Sequence, residues 1–283
     1  MKRPLSALAL LAGFAPALGA PALADDKLSL ATGFDYSTGH YGNADPTEIL
    51  YIPVTGKYES GDLTLKLTVP YIRITGPGGV IQGIGRIAAP GGSAGAPGRP
   101  GGPPGPPGGG TGGTSATATG STSTASGLGD VVASAGYTVY SGDGLWLDAI
   151  GKVKFGTADA GKGLGTGKND YFAQLDGYYT LVKDTTLLAT AGYKVIGSPP
   201  GIALHNAPYG MLGVDRKLGE TTNAGVMYDQ LNSIAATIPA QKSITVYASQ
   251  KLSPAFKVQA NLMKGFTTAS PELGGGVMVI GYF

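Results

Sequence analysis

Val277-Met278-Val279-Ile280-Gly281-Tyr282-Phe283 closes the chain, a run of apolar residues ending on a bulky aromatic. Together with the glycines before it, this run reads as a strand over about 274–283. Working backwards, residues 255–266 alternate strictly. Phe256, Val258, Ala260 and Leu262 fall on one face and Lys257, Gln259 and Asn261 on the other. Residues 241–252 set Ile244, Val246 and Ala248 against Ser243, Thr245, Tyr247 and Lys251. A period of two is the mark of a strand with unlike faces. The same pattern places Leu145, Leu147, Ala149, Val153 and Phe155 opposite Asp148, Lys152 and Lys154. It also places Leu63, Leu65, Leu67, Val69 and Tyr71 opposite Thr64, Lys66 and Thr68. Residues 170–182 repeat it, and weaker versions lie near 27–38, 48–58, 128–141, 185–197, 207–218 and 221–232. That makes twelve candidate strands.

The connections between these strands alternate in length. Brief turns at Ser60-Gly61-Asp62, Gly142-Asp143-Gly144, Lys183-Asp184, Gly219-Glu220 and Ser253-Pro254 alternate with longer polar segments. Short periplasmic turns and long outer loops are the asymmetry expected of a transmembrane barrel. Five of one kind and six of the other would place both termini in the periplasm. A secreted β-sandwich also alternates, so alternation alone does not separate the two folds. The separation comes from tyrosines near strand ends (Tyr36, Tyr58, Tyr71, Tyr137 and Tyr193) and from Phe283. A terminal phenylalanine behind a final strand resembles the signal that barrel-assembly machinery reads. Tyr71 with Arg73 suits an outer rim, where a guanidinium meets the phosphates of lipid and lipopolysaccharide. The expected fold is therefore all-β: a transmembrane, antiparallel, up-and-down β-barrel of about twelve strands in the outer membrane of a Gram-negative bacterium. No stretch beyond the first residues approaches the roughly twenty consecutive apolar residues of a spanning helix. In lipid only closure would satisfy every backbone donor and acceptor of such strands.

The N-terminus reads as an export signal over residues 1–24. Lys2 and Arg3 precede a short apolar run from Leu5 to Phe14, and Ala22-Leu23-Ala24 supplies the small-x-small cleavage pattern. The barrel would then occupy residues 25–283. The chain carries 20 basic and 18 acidic residues, and loss of Lys2 and Arg3 would leave it neutral. No strong positive field exists to gather nucleic acid. Cysteine is absent, which excludes disulfides, thiolate nucleophiles and cysteine-based metal sites. Residues 75–127 are dominated by Gly, Pro, Ser, Thr and Ala. Gly102-Pro103-Pro104-Gly105-Pro106-Pro107 looks collagen-like, but the register slips between Gly101 and Gly102, and a triple helix tolerates no slip. The segment reads as a disordered outer loop.

Several patterns that could carry chemistry have plainer readings. Gly156-Thr157-Ala158-Asp159-Ala160-Gly161-Lys162-Gly163 nearly matches a phosphate-binding loop. It lacks the closing Ser or Thr, and a strand follows where the motif needs a helix. His40 and His205 are the only histidines, and Gly42 and Ala207 stand two residues beyond them, where an outer-membrane phospholipase would need a serine. No catalytic residue, metal site or cofactor is expected. The inward charges Lys66, Asp148, Lys152, Lys154, Asp176, Lys194, Asp215, Asp229 and Lys257 are instead expected to line a lumen, as internal pairs that tune passage.

From Gly127 onward a set of short motifs recurs at characteristic spacing. They are Gly127-Leu128-Gly129-Asp130, Gly151-Lys152-Val153-Lys154, Lys162-Gly163-Leu164-Gly165-Thr166-Gly167, Asn169-Asp170-Tyr171, Gly192-Tyr193 and Tyr209-Gly210. The segment resembles an outer-membrane family named for the MetA pathway of phenol degradation. It departs from that family at Phe155-Gly156-Thr157-Ala158-Asp159, where a Pro-Thr-Gly-Asp-like turn is usual. The resemblance implies a barrel and uptake of small, often aromatic or apolar molecules, and it supplies no catalytic residues. A passive channel for small solutes is the leading expectation. A closed barrel displaying residues 75–127 for interaction or adhesion is the alternative, and a hydrolase ranks third.

Overall fold

The computed structural model describes residues 26–77, 122–199, 204–236 and 238–283. The expected signal segment 1–24 and the expected disorder of residues 78–121 lie outside them. The strands are β1 (Lys27–Gly39), β2 (Thr47–Ser60), β3 (Leu63–Gly76), β4 (Ser123–Leu128), β5 (Val132–Gly142), β6 (Leu145–Lys154) and β7 (Asp170–Val182). They continue as β8 (Thr185–Val195), β9 (Ala207–Lys217), β10 (Thr222–Leu231), β11 (Gln241–Ser253), β12 (Phe256–Gly265) and β13 (Leu273–Tyr282). Every ladder is antiparallel and joins sequence neighbours, until β13 returns to pair with β1 and closes the ring. Both β4 and β5 pair with β3, the first along Tyr71–Gly76 and the second along Leu63–Thr68. The Gly129 N–H donates to the Pro70 carbonyl at 2.8 Å between them. They are two halves of one bulged stave, so the described residues form a closed barrel of twelve staves. The strands reach further into the low-complexity segment than its composition suggests, with β3 running to Gly76 and β4 starting at Ser123.

Side-chain placement is that of a barrel in lipid. Leu65, Leu67, Val69, Leu212, Val246 and Leu262 are exposed on the outer face, while Thr55, Thr68, Asp176, Thr245 and Gln259 are buried inside. A soluble sandwich would place these two sets the other way round. Outward aromatics form two girdles. Tyr36, Tyr71, Tyr171 and Tyr193 ring the long-loop end, and Tyr58, Tyr137, Tyr179 and Phe256 ring the short-turn end. Amphipathic rings belong at both interfaces of such a barrel. The short turns are tight: Asp143 and Gly144 both take positive φ, 50° and 76°, the type I′ geometry that matches strand twist.

Candidate functional site

The functional space of a barrel is its lumen and the mouth that guards it. At the long-loop end, four charged side chains from four staves meet inside the wall. Lys154, the last residue of β6, donates to Asp130 Oδ2 at 2.6 Å and to the Lys168 carbonyl at 3.1 Å. Its ammonium also lies 3.6 Å from Asp170 Oδ2, which is 3.3 Å from Lys194 Nζ. The Lys194 ammonium sits 5.3 Å above the centre of the Phe172 ring. All four charged side chains are at most 6% exposed. Charges this deep persist because each is paired and hydrogen-bonded.

This cluster seats the loop between β6 and β7 inside the mouth. Asp130 Oδ1 accepts the Ala158 N–H at 2.9 Å, and Asn169 Oδ1 accepts the Gly156 N–H at 2.9 Å. The short 3₁₀ turn η1 (Ala160–Lys162) is capped by Asp159 and ends at Gly163 with φ of 70°. No α-helix follows that turn, and Lys162 pairs with Asp159 at 3.6 Å. The phosphate-loop resemblance is therefore a turn. Leu164, 1% exposed, then reaches across to pack on Ile49 and Tyr51 of β2 and Ile72 and Ile74 of β3. A second apolar cluster at the same end joins Ile196, Ala207, Tyr209, Leu231 and Ile234. Two apolar clusters thus tie described parts of the long loops to the wall at this end.

Below the mouth the lumen wall is polar and tightly braced. The nine charges expected to line the lumen divide in two by exposure. Lys66, Lys152, Asp229 and Lys257 keep partial exposure, while Asp148, Lys154, Asp176, Lys194 and Asp215 are sealed at 5% or less. Asp148 Oδ1 accepts from Thr138 at 2.7 Å, and Asp176 Oδ1 from Thr190 at 2.7 Å and Gln174 at 2.6 Å. The Asp215 carboxylate accepts from Tyr247 at 2.7 Å and Asn223 at 2.8 Å. Two glycines make this bracing possible. A Cβ at Gly192 would overlap the Tyr209 ring, and one at Gly225 the Tyr247 ring, so bare backbone lets each tyrosine lie across its neighbour. Tyr178, Leu188, Met227 and Tyr247 form an inward apolar patch, with Trp146 packed against it.

Partly exposed inward residues trace one continuous row. Direct cross-strand pairing carries it from Lys57 to Lys66, Ser134, Lys152 and Phe172, a diagonal from the short-turn end towards the mouth. Elsewhere, His40 Nδ1 donates to Glu272 Oε1 at 2.7 Å, joining the β1–β2 loop to the β12–β13 loop. That bond holds the Glu272 carboxyl below its ordinary range. The Asp130 anchor is absent from the expected site residues. Its signal was the Gly127-Leu128-Gly129-Asp130 motif, which holds an acid at a bulge.

No family model matches the chain, and no curated protein matches it. Solved structures do. An outer membrane channel from Pseudomonas putida F1 superposes with a TM-score of 0.62 at 11% identity, covering 93% of this chain and 97% of that one. The KdgM porin superposes with a TM-score of 0.52 at 8% identity, covering 90% and 99%, and its complex with disordered oligogalacturonate gives 0.51. At these identities the likeness speaks for architecture, and the architecture is that of an outer-membrane β-barrel.

Proposed function

We propose that this protein is an outer-membrane channel for the passive passage of small molecules, with both termini periplasmic and the long loops outside. The observation that carries this reading is the partly exposed row from Lys57 to Phe172 inside an otherwise braced barrel. A barrel meant only as a wall would have no need to keep charged side chains half-solvated along its length. Twelve staves also give a wider interior than the eight-stranded barrels that side chains fill. The apolar clusters at the mouth, with Leu164 and Tyr209, fit the small aromatic or apolar permeants that the MetA-pathway resemblance implies. Within this reading, Tyr71 and Arg73 meet lipid and lipopolysaccharide at the outer rim, and Phe283 engages the assembly machinery.

Planar-bilayer recording with purified protein, together with solute uptake into liposomes, tests the proposal. Step conductance and uptake are expected; their absence in correctly folded protein would refute it. The rival reading, a closed barrel displaying a surface loop, draws on the loops tied down at the mouth and expects no conductance. A hydrolase gains no support from the histidines. Among the described residues, His40 bonds Glu272 and His205 lies 3.4 Å from the Asn206 carbonyl, neither contact being to a hydroxyl.

A further inference from the structure

In the half nearest the short turns, the sign of charge is not scattered around the lumen. The basic residues there are Lys257 on β12, Lys57 on β2 and Lys66 on β3. The acidic ones are Glu59, beside Lys57 on β2, and Asp148 on β6, Asp176 on β7 and Asp215 on β9, each within six residues of its strand's short-turn end. In the circular order of staves, β12 through β3 form one arc and β6 through β9 another, and the centres of the two arcs face each other across the lumen.

Within each arc, like charges are direct neighbours. Lys57 pairs with Lys66 across the β2–β3 ladder, and Asp148 pairs with Asp176 across the β6–β7 ladder. Like charges set directly opposite on adjacent strands destabilise a sheet, and exchanging one member of each pair would remove both repulsions. Lys57 is relieved by Glu59 at 2.7 Å. The hydrogen bonds described above reach the acidic arc from neutral donors, and Asp148 Oδ2 is buried with no hydrogen-bond partner among the described residues. The arrangement gives up wall stability and keeps a field directed across the bore. Nearer the mouth this order is lost, with Lys152 on β6, Lys194 on β8 and Asp35 on β1.

We infer that the short-turn half of the lumen is a dipole filter that, among small solutes sharing one carbon skeleton, favours the zwitterion, its anionic group turned to the β12–β3 arc and its cationic group to the β6–β9 arc. This rests on the channel reading above. A transverse field in a narrow bore with low-dielectric walls lowers the energy of a solute that aligns with it. It gives a neutral solute nothing, and it offers an ion of either sign one attractive and one repulsive wall.

The test is uptake into liposomes carrying the full chain, with four solutes built on the same four-carbon chain: 4-aminobutanoate, 4-hydroxybutanamide, butanoate and butylammonium. The zwitterion is expected to enter roughly tenfold faster than the neutral amide. Lys57→Met with Lys66→Met, and separately Asp148→Asn with Asp176→Asn, should each bring that ratio, taken within the variant, close to unity. A heat-dependent gel shift confirms that each variant is folded, and Lys66→Gln alone serves where a double variant fails to fold. Equal entry of zwitterion and amide, faster entry of either ion, or variants that slow all four solutes alike would overturn the inference while leaving a channel. Failure of every solute, with no conductance, would instead remove the channel reading and this inference with it.

Discussion

Replacing Lys154 with methionine should release the β6–β7 loop from the mouth. The ammonium makes a 2.6 Å bond to Asp130 and a 3.1 Å bond to the Lys168 carbonyl, and it lies 3.6 Å from Asp170. Methionine fills much of the same volume, so packing survives while Asp130 is left buried without its cation. Breaking one partner from a buried ion pair costs about 3–5 kcal/mol. The strands keep their ladders, so the cost falls on the element that the pair anchors. At about 1.4 kcal/mol per factor of ten, the open population of the loop should rise by roughly 10² to several times 10³. Hydrogen exchange on protein in detergent reads this directly. The Ala158 amide, bonded to Asp130 at 2.9 Å, should lose that much protection, while the Tyr247 amide within β11 should lose none. Asp130→Asn gives a second arm, since its amide oxygen can still accept from Ala158 and the loss should be smaller. Unchanged protection at Ala158 in Lys154→Met would refute the anchoring role.

Leu212→Arg, at a residue 67% exposed on the outer face of β9, should destabilise the barrel by about 2–4 kcal/mol if that face meets lipid. Urea titration in bilayers reads this, and a neutral outcome would argue for water on that side. Leu164→Ala removes the side chain that reaches β2 and β3 and should cost the loop about 2–5 kcal/mol. The same variant should raise single-channel conductance, and unaltered conductance would mean the leucine constricts nothing. The His40–Glu272 contact should be pH-dependent. The carboxyl is depressed in the folded protein, so the contact is fully favourable above the ordinary glutamate value of about 4.3 and is lost as pH falls through the depressed one. Exchange at the His40 amide should therefore rise selectively in acid, and a flat profile down to the pH of global unfolding would contradict this.

Strand positions were legible because lipid outside and polar groups inside impose a strict period of two. Residues 255–266 and 62–74 show it without ambiguity. The β4 stretch was illegible because Ser123, Thr124, Ala125 and Ser126 share their composition with the segment before them, so only pairing with β3 reveals them as wall. Alternation also says which way Lys154 and Lys194 point without saying what they meet. Their partners Asp130 and Asp170 come from other staves, and barrel closure decides who is adjacent. The inward fold of the β6–β7 loop had a single trace, one leucine in a glycine-rich run. A lone apolar residue in a loop predicts nothing until an apolar recess (here Ile49, Ile72 and Ile74) is known to be within reach.

The β13–β1 seam carries a consequence for how the molecule comes into being. Every other joint of the wall links staves that follow one another along the chain, and five of them close over short turns. The last joint brings Ser29 against Tyr282 and Thr38 against Leu273, residues at opposite extremes of the polymer, and its loop-closure entropy is the largest in the fold. Gly33, Gly275 and Gly276 lie along it, and a Cβ at Gly33 would overlap the Val277 backbone, so bare backbone allows the close approach there. Growth of the cylinder should therefore be quick and sequential, with a single slow act of sealing at its end.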